Sequence, residues 1–348
     1  MIKNCASLIL IFYSIFTSSF TLAECVKPMN TDINIVLAHG IFGFDKIGPI
    51  NYFNGIEEHL KNRHNASVFV VKVSKSGGII ERGEKLKQDI LNAISNPDAY
   101  PCFNPQASTH IIAHSMGGLD SRYILSSGNS NNIGHLITSL TTIGTPHKGT
   151  PLADFFYQKL DMESPLPLLG FTEEEFVNIL TLVGIKKDGI HDLTTDAMAV
   201  FNKKYTKNDS VRYFWIAGIG RKFFKTSIFL LVPYTYIALK PFAHYVLKLG
   251  PYAPQLTMLG SIGFNVEGND GAVPLSSAKY EESGWSAEPI GENRYADHFD
   301  LIGHDFNQLP GGKPKKFDYL AMYDEIIAMI KQSKTPAQLP HQSNSQLK

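Results

Sequence analysis

Apolar positions along the chain cluster into short β-branched or aliphatic runs at 33–38, 67–73, 110–113, 136–143 and 211–217. Runs of that length with little polar alternation read as strands buried on both faces. Between them, 54–63, 82–94 and 117–126 carry the mixed polar and apolar spacing of helices. Strands alternating with helices predict an α/β class chain, doubly wound, with a mostly parallel sheet covered by helices on both sides.

Two stretches break this rhythm. In 152–192, Pro165 and Pro167 interrupt the chain before Thr172 and the acidic Glu173, Glu174 and Glu175 open a helix in the manner of an N-terminal cap. On that helix Phe176, Ile179, Leu180 and Val183 share one apolar face. Periodicity alone makes it a core-facing helix. In 223–249, the uncharged part between Lys225 and Lys240 is too short to cross a bilayer and contains Pro233. It is read as a cap over a hydrophobic site or as plain core. The tail 333–348, rich in Gln, Ser and Asn, is expected to be disordered.

Length and composition narrow the picture. The 348 residues are 43% hydrophobic and 18% charged, which suits one large domain over 24–332. Lys+Arg and Asp+Glu both total 32, a formal net charge of zero. Nothing therefore favours nucleic acid or electrostatic docking on an anionic membrane, and any affinity for lipid must be hydrophobic. Residues 1–23 combine Lys3, an apolar run over 8–16 and Ala23 as a small-residue exit, the layout of a cleaved signal peptide. The polar Ser14 and the Thr17 to Ser19 cluster leave the run short of a spanning helix. A secreted or periplasmic monomer is expected.

The chemistry centres on Ala113-His114-Ser115-Met116-Gly117-Gly118, between a strand and a helix. Small residues two before and two after a serine permit the tight strand-to-helix turn that presents a nucleophile. Upstream, the apolar run from Ile35 ends in His39-Gly40-Ile41, a turn suited to offering a backbone N–H to an oxyanion. Ile41 and Met116 are assigned as the two donors, with the His39 side chain bracing the turn. An elbow of this kind is followed along the chain by the acid and then the histidine. Asp270, in the Asn269-Asp270-Gly271 turn after a strand candidate at 263–266, is the acid. The base is His298 or His304, and the residues alone do not choose between them.

At this point the chain resembles the secreted bacterial triacylglycerol lipases typified by the Pseudomonas, Burkholderia and Proteus enzymes. The likeness rests on LAHGIFGF, YFNGI, ERGEKL, the elbow, TPHKGT, FNKKY, NDGAVP and DHFD. It implies an α/β-hydrolase fold with Ser115, Asp270 and His298 as triad, Ile41 and Met116 as oxyanion hole, and support from His39, Gly40 and Arg82. It also implies that 152–192 is a mobile lid, and it brings a lipase-specific foldase or secretion machinery as partners. The family's bound calcium uses two aspartates. Asp300 matches one, but PYAPQLTMLG offers no carboxylate for the other and His304 replaces the usual Gln, so no cofactor is expected and calcium is not counted as one. The family's disulfide near the acid is absent too, since no cysteine follows Cys102.

Cys25 and Cys102 are the cysteines left once Cys5 departs with the signal, and an oxidising compartment is expected to pair them. Each lies shortly before a strand, and in this fold those two strands are parallel neighbours. The expected activity is hydrolysis of fatty-acid esters at an oil–water or membrane interface, through an acyl-enzyme. A phospholipase, lysophospholipase or acyltransferase would use the same triad, and a lipid-binding or adhesion module would keep the fold without the chemistry.

Overall fold

The computed structural model describes residues 31–41, 43, 46–47, 50–96, 99–101, 103–154, 157, 186–220, 268–279, 287–304 and 317–332. Within these, β1 (Ile33–Ala38), β2 (Ser67–Val70), β3 (Ser108–His114), β4 (Ser139–Ile143), β5 (Arg212–Ile216) and β6 (Glu288–Pro289) form one sheet in the order β2-β1-β3-β4-β5-β6. Every pairing in it is parallel. The helices are α1 (Ile56–His64), α2 (Ile79–Ser95), α3 (Met116–Leu125), α4 (Lys187–His191), α5 (Thr195–Lys204), α6 (Leu275–Lys279) and α7 (Tyr319–Gln332).

Successive side chains of a strand point to opposite faces, so each central strand feeds two cores. Val36, Ala38, Ile111, Ala113 and Leu140 pack with Leu86 and Ile90 of α2, Leu119 of α3 and Met198 and Phe201 of α5. From the other face, Ile35, Leu37, Ile112, Phe214 and Ile216 pack with Ile56 and Leu60 of α1 and Ile326, Ile327 and Ile330 of α7. This is the doubly wound α/β arrangement that the sequence pattern predicts. After β1 the chain moves out to edge strand β2, and after β3 it moves the other way to β4, so the order reverses between β1 and β3. A crevice at the C-terminal ends of strands flanking such a reversal is where sheets of this type hold their ligands.

Strand ends differ most in two places. The apolar run at 67–73 pairs only through Val70, although Val71 N–H still donates to the Leu37 carbonyl at 3.1 Å. The run at 136–143 opens with a 3-10 turn, Gly134–Leu136, and the strand begins at Ser139. The signal segment, Cys25, Cys102, the amphipathic run 176–183, the cap 223–249, the strand candidate 263–266 and the tail 333–348 lie outside the described residues. Among the described residues no helix is long and apolar enough to cross a membrane.

Candidate active site

Ser115 stands between β3 and α3 with φ 55° and ψ −131°, a left-handed conformation rare for a residue with a side chain. Three bonds hold it there. Its N–H donates to the Ile143 carbonyl at 2.9 Å, while its own carbonyl accepts from Gly118 N–H at 3.0 Å and from Thr145 Oγ1 at 2.9 Å. The small neighbours are sterically required: a Cβ on Gly117 would lie 2.5 Å from the Ala38 carbonyl oxygen, and one on Gly118 would lie 2.1 Å from Thr145 Oγ1. The elbow is therefore pressed against the end of β1.

The turn after β1 meets Ser115 directly. A Cβ on Gly40 would sit 2.6 Å from Ser115 Cβ and 3.0 Å from its Oγ. Arg82, fully buried on α2, holds this turn by donating from Nη2 to the His39 carbonyl at 2.7 Å and from Nε to Asp120 at 2.9 Å. Nη1 reaches the Ser74 carbonyl as well. Burial raises the Asp120 carboxyl to about 6 against the opposing pull of Arg82, which leaves it charged at neutral pH. The His39 ring folds over its own turn, with Nδ1 2.9 Å from the Gly40 carbonyl oxygen. Among the described residues none accepts a hydrogen bond from the N–H of Ile41 or of Met116, the residues that follow Gly40 and Ser115 in the chain.

Opposite these donors, Asp270 and His298 face each other at 2.7 Å, Oδ2 to Nδ1. The other carboxylate oxygen of the fully buried Asp270 accepts from Ala272 N–H at 3.0 Å and Val273 N–H at 2.8 Å. The backbones are tied too, His298 N–H donating to the Asp270 carbonyl at 2.9 Å. Gly144, at φ 55° just after β4, keeps the space clear: a Cβ there would lie 2.9 Å from Asp270 Oδ2 and 3.2 Å from His298 Nδ1. His304 takes a different place, with its Nε2 2.9 Å from the Tyr52 carbonyl oxygen, so of the two candidate bases His298 is the one against the carboxylate.

Asp300 stays on the loop that carries His298, its Oδ2 accepting from Asp297 N–H at 3.0 Å. Asp297 Oδ1 in turn accepts from the N–H groups of Phe299 and Asp300. Calcium wants six to eight oxygens. Among the side chains at this loop Asp300 is the matching carboxylate, and the imidazole of His304 stands where an amide oxygen would serve a calcium ion better.

Several known proteins are similar to this chain. The model of the PGAP1-like alpha/beta domain matches residues 56–223. A triacylglycerol lipase of Pseudarthrobacter phenanthrenivorans is 31% identical over 192 residues, covering 53% of this chain and 55% of the lipase. One from Pseudomonas fragi is 27% identical over 328 residues, covering 88% of this chain and 98% of the relative. The chain spans about half the length of the first curated relatives it matches. In three dimensions, EstA from Clostridium botulinum superimposes with a TM-score of 0.55 at 18% identity over 88% of each chain. The chain is thus similar to bacterial triacylglycerol lipases and shares their α/β-hydrolase fold.

Two of the motifs outside the elbow, TPHKGT and FNKKY, serve as scaffolding. Arg122 Nη1 lies 3.2 Å from His147 Nδ1, and Arg122 Nη2 donates to Asn202 Oδ1 at 2.9 Å, which locks TPHKGT and FNKKY to α3. Sequence reasoning missed two residues of the site itself. His114 is fully buried, and burial together with the nearby His298 holds its pKa well below the ordinary value, so its ring is neutral with a single proton. Its Nε2 lies 2.9 Å from the His298 carbonyl oxygen and must carry that proton. Nδ1 is then an acceptor for the Tyr52 hydroxyl at 2.7 Å, and the Tyr52 oxygen accepts from Gly40 N–H at 3.0 Å. One hydrogen-bonded chain thus runs from the turn after β1, through Tyr52 and His114, to the backbone of His298. The available signals were a histidine just before the serine and a tyrosine in YFNGI, each with other common readings.

Removing the tyrosine hydroxyl tests that chain. Tyr52→Phe strands two buried groups, Gly40 N–H and His114 Nδ1, at a cost of about 1–3 kcal/mol each. The expected result is a Tm lowered by roughly 5 °C and kcat lowered by about tenfold, because both ends of the chain border Ser115. Unchanged values in calorimetry and steady-state assays would remove Tyr52 from the site.

Proposed function

We propose that the protein hydrolyses carboxylic esters of fatty acids, triacylglycerols foremost, with Ser115 as nucleophile, His298 as base and Asp270 as the acid that orients it. The observation carrying this reading is the 2.7 Å contact of His298 Nδ1 with Asp270 Oδ2 beside a serine held at positive φ. With its Nδ1–H directed at the carboxylate, the imidazole keeps an Nε2 lone pair for the serine proton. Ser115 Oγ attacks the ester carbonyl, and the proton passes to His298 Nε2 and then to the departing alcohol. Water, deprotonated by the same nitrogen, attacks the acyl-enzyme and frees the fatty acid. The N–H groups of Ile41 and Met116 meet the alkoxide of each tetrahedral intermediate; such donors contribute about 3–4 kcal/mol each to lowering the barrier.

The lipid substrate class is supported by the names of the Pseudarthrobacter and Pseudomonas relatives and by a net charge of zero, which leaves apolar contact as the means of reaching a lipid surface. The apolar face formed by Phe176, Ile179, Leu180 and Val183 suits a lid that opens at such a surface. The signal-like segment 1–23 fits action outside the cytoplasm, where Cys25 and Cys102 would pair. No calcium is assigned to the reaction.

A fluorophosphonate probe should label Ser115, identified by peptide mapping. In EDTA, an emulsified triacylglycerol should be hydrolysed faster than phosphatidylcholine vesicles, with a rate that climbs steeply once a soluble ester passes its solubility limit. Labelling at another residue would overturn the site. Faster cleavage of the vesicles would move the substrate class to phospholipids.

A further inference from the structure

Away from the candidate active site, α1 and α7 cover the same face of the sheet, and three side chains of metal-ligating type converge between them. His59 Nε2 and His64 Nε2, both on α1, lie 2.7 and 2.5 Å from a single oxygen, Oδ1 of Asp324 on α7. One atom from each of the three falls within 4.8 Å of the others. The second oxygen of Asp324 is held at 3.0 Å by Arg63 Nε. All three side chains are partly buried, 16% exposed for each histidine and 28% for the aspartate, so helices rather than solvent position them.

A carboxylate already anchored by a guanidinium does not need two imidazoles to satisfy its remaining oxygen. What the cluster presents is a nitrogen, nitrogen, oxygen donor set on two helices, with the exposed Arg63 side chain on the other carboxylate oxygen. Zinc is bound by such sets at about 2.0–2.2 Å per ligand, with water completing a tetrahedron. Ligands at that radius stand about 3.3 Å apart. The donors therefore need to part by somewhat under 1 Å, which small side-chain rotations at this partly open position allow.

We propose that His59, His64 and Asp324 form a structural zinc site that clamps α1 to α7. Nothing in the proposed triad depends on this cluster. The clamp would join positions 260 residues apart in the chain, and because the three donors converge only in the folded protein, the free energy of binding zinc would add to the free energy of folding. It would also steady the start of α1, where Asn54 N–H donates to the Ile302 carbonyl at 3.1 Å, close to the loop that carries His298.

The test uses the full chain, stripped with EDTA, dialysed, and titrated with zinc chloride. Calorimetry should show one zinc per chain, and Tm should rise on the order of 5 °C at a hundredfold excess over Kd. Magnesium, which prefers oxygen ligands, should produce no such rise. His64→Gln should weaken zinc binding at least tenfold and erase the Tm rise while leaving ester hydrolysis without zinc unchanged. Asp324→Asn should do the same to binding, and should it fail to fold, His64→Gln at the end of α1 still decides the matter. Absence of zinc binding, or a Tm rise that survives in His64→Gln, overturns the site. So does an Asp324→Asn variant whose loss of Tm is the same with and without zinc, which would mark a plain ion pair.

Discussion

Ser115→Ala is expected to lower ester hydrolysis by at least ~10³-fold while leaving the fold and its Tm close to those of the parent. The side chain contributes no hydrogen bond to the elbow; the bonds that hold it run through the backbone N–H to Ile143 and the backbone carbonyl from Gly118 and Thr145. Alanine therefore keeps the geometry and loses only the reacting oxygen. Ser115→Gly separates chemistry from strain more sharply. A residue with a Cβ at φ 55° and ψ −131° stores about 1–3 kcal/mol, which glycine releases, less the ~0.5–1 kcal/mol that glycine's freedom in the unfolded chain costs. The inactive glycine variant should thus melt at or slightly above the parent, by up to about 3 °C. Rates above about one per cent of the parent in either variant, measured on purified protein with a chromogenic ester, would exclude Ser115 as the nucleophile.

The central strands were legible because they are buried on both faces and so carry unbroken apolar runs. Their ends were less so, since hydrophobicity reports burial rather than pairing. Val73 is buried beyond the last paired residue of β2, and Ile137 is buried before β4 begins. The start of α2 shows a second reason. That helix opens at Ile79, ahead of the position expected from spacing, because its N–H is capped at 2.7 Å by Asp192 Oδ2, a residue 113 positions away. Strand β6, Glu288–Pro289, is an exposed edge of two residues with a proline in it and carries no apolar signature at all.

The candidate site divides in the same manner. The elbow was readable because its steric demand falls on neighbours in sequence, Gly117 and Gly118, and the turn after β1 because His39 and Gly40 adjoin. Residue pattern alone leaves His298 and His304 open and the family resemblance chooses His298; the physical distinction lies in tertiary contact, since both are buried and His298 meets Asp270 while His304 meets the Tyr52 carbonyl. Tyr52 and His114, separated by 62 positions, become partners only once β1 and β3 lie side by side. The trio on α1 and α7 is more distant still.

Asp270→Asn should reduce kcat by about 10⁴-fold at neutral pH with little change in Tm, and the reason lies in what surrounds the carboxylate. Oδ1 accepts two backbone N–H groups, from Ala272 and Val273, so an asparagine must turn its carbonyl oxygen toward them. Its NH₂ group is then forced into the place of Oδ2, 2.7 Å from His298 Nδ1. Facing a donor, Nδ1 has to act as acceptor, and the neutral ring must carry its proton on Nε2. That nitrogen then presents an N–H to Ser115 and can no longer take the serine's proton, although every atom of the site is still in position. Asp270→Ala lacks the NH₂ and leaves the tautomer free, so it should be less damaging than the isosteric asparagine in kcat but more damaging in Tm, having left the two N–H groups unpaired. Equal kcat values for the two variants, or an asparagine variant within about tenfold of the parent, would show that Asp270 does not set the proton on His298.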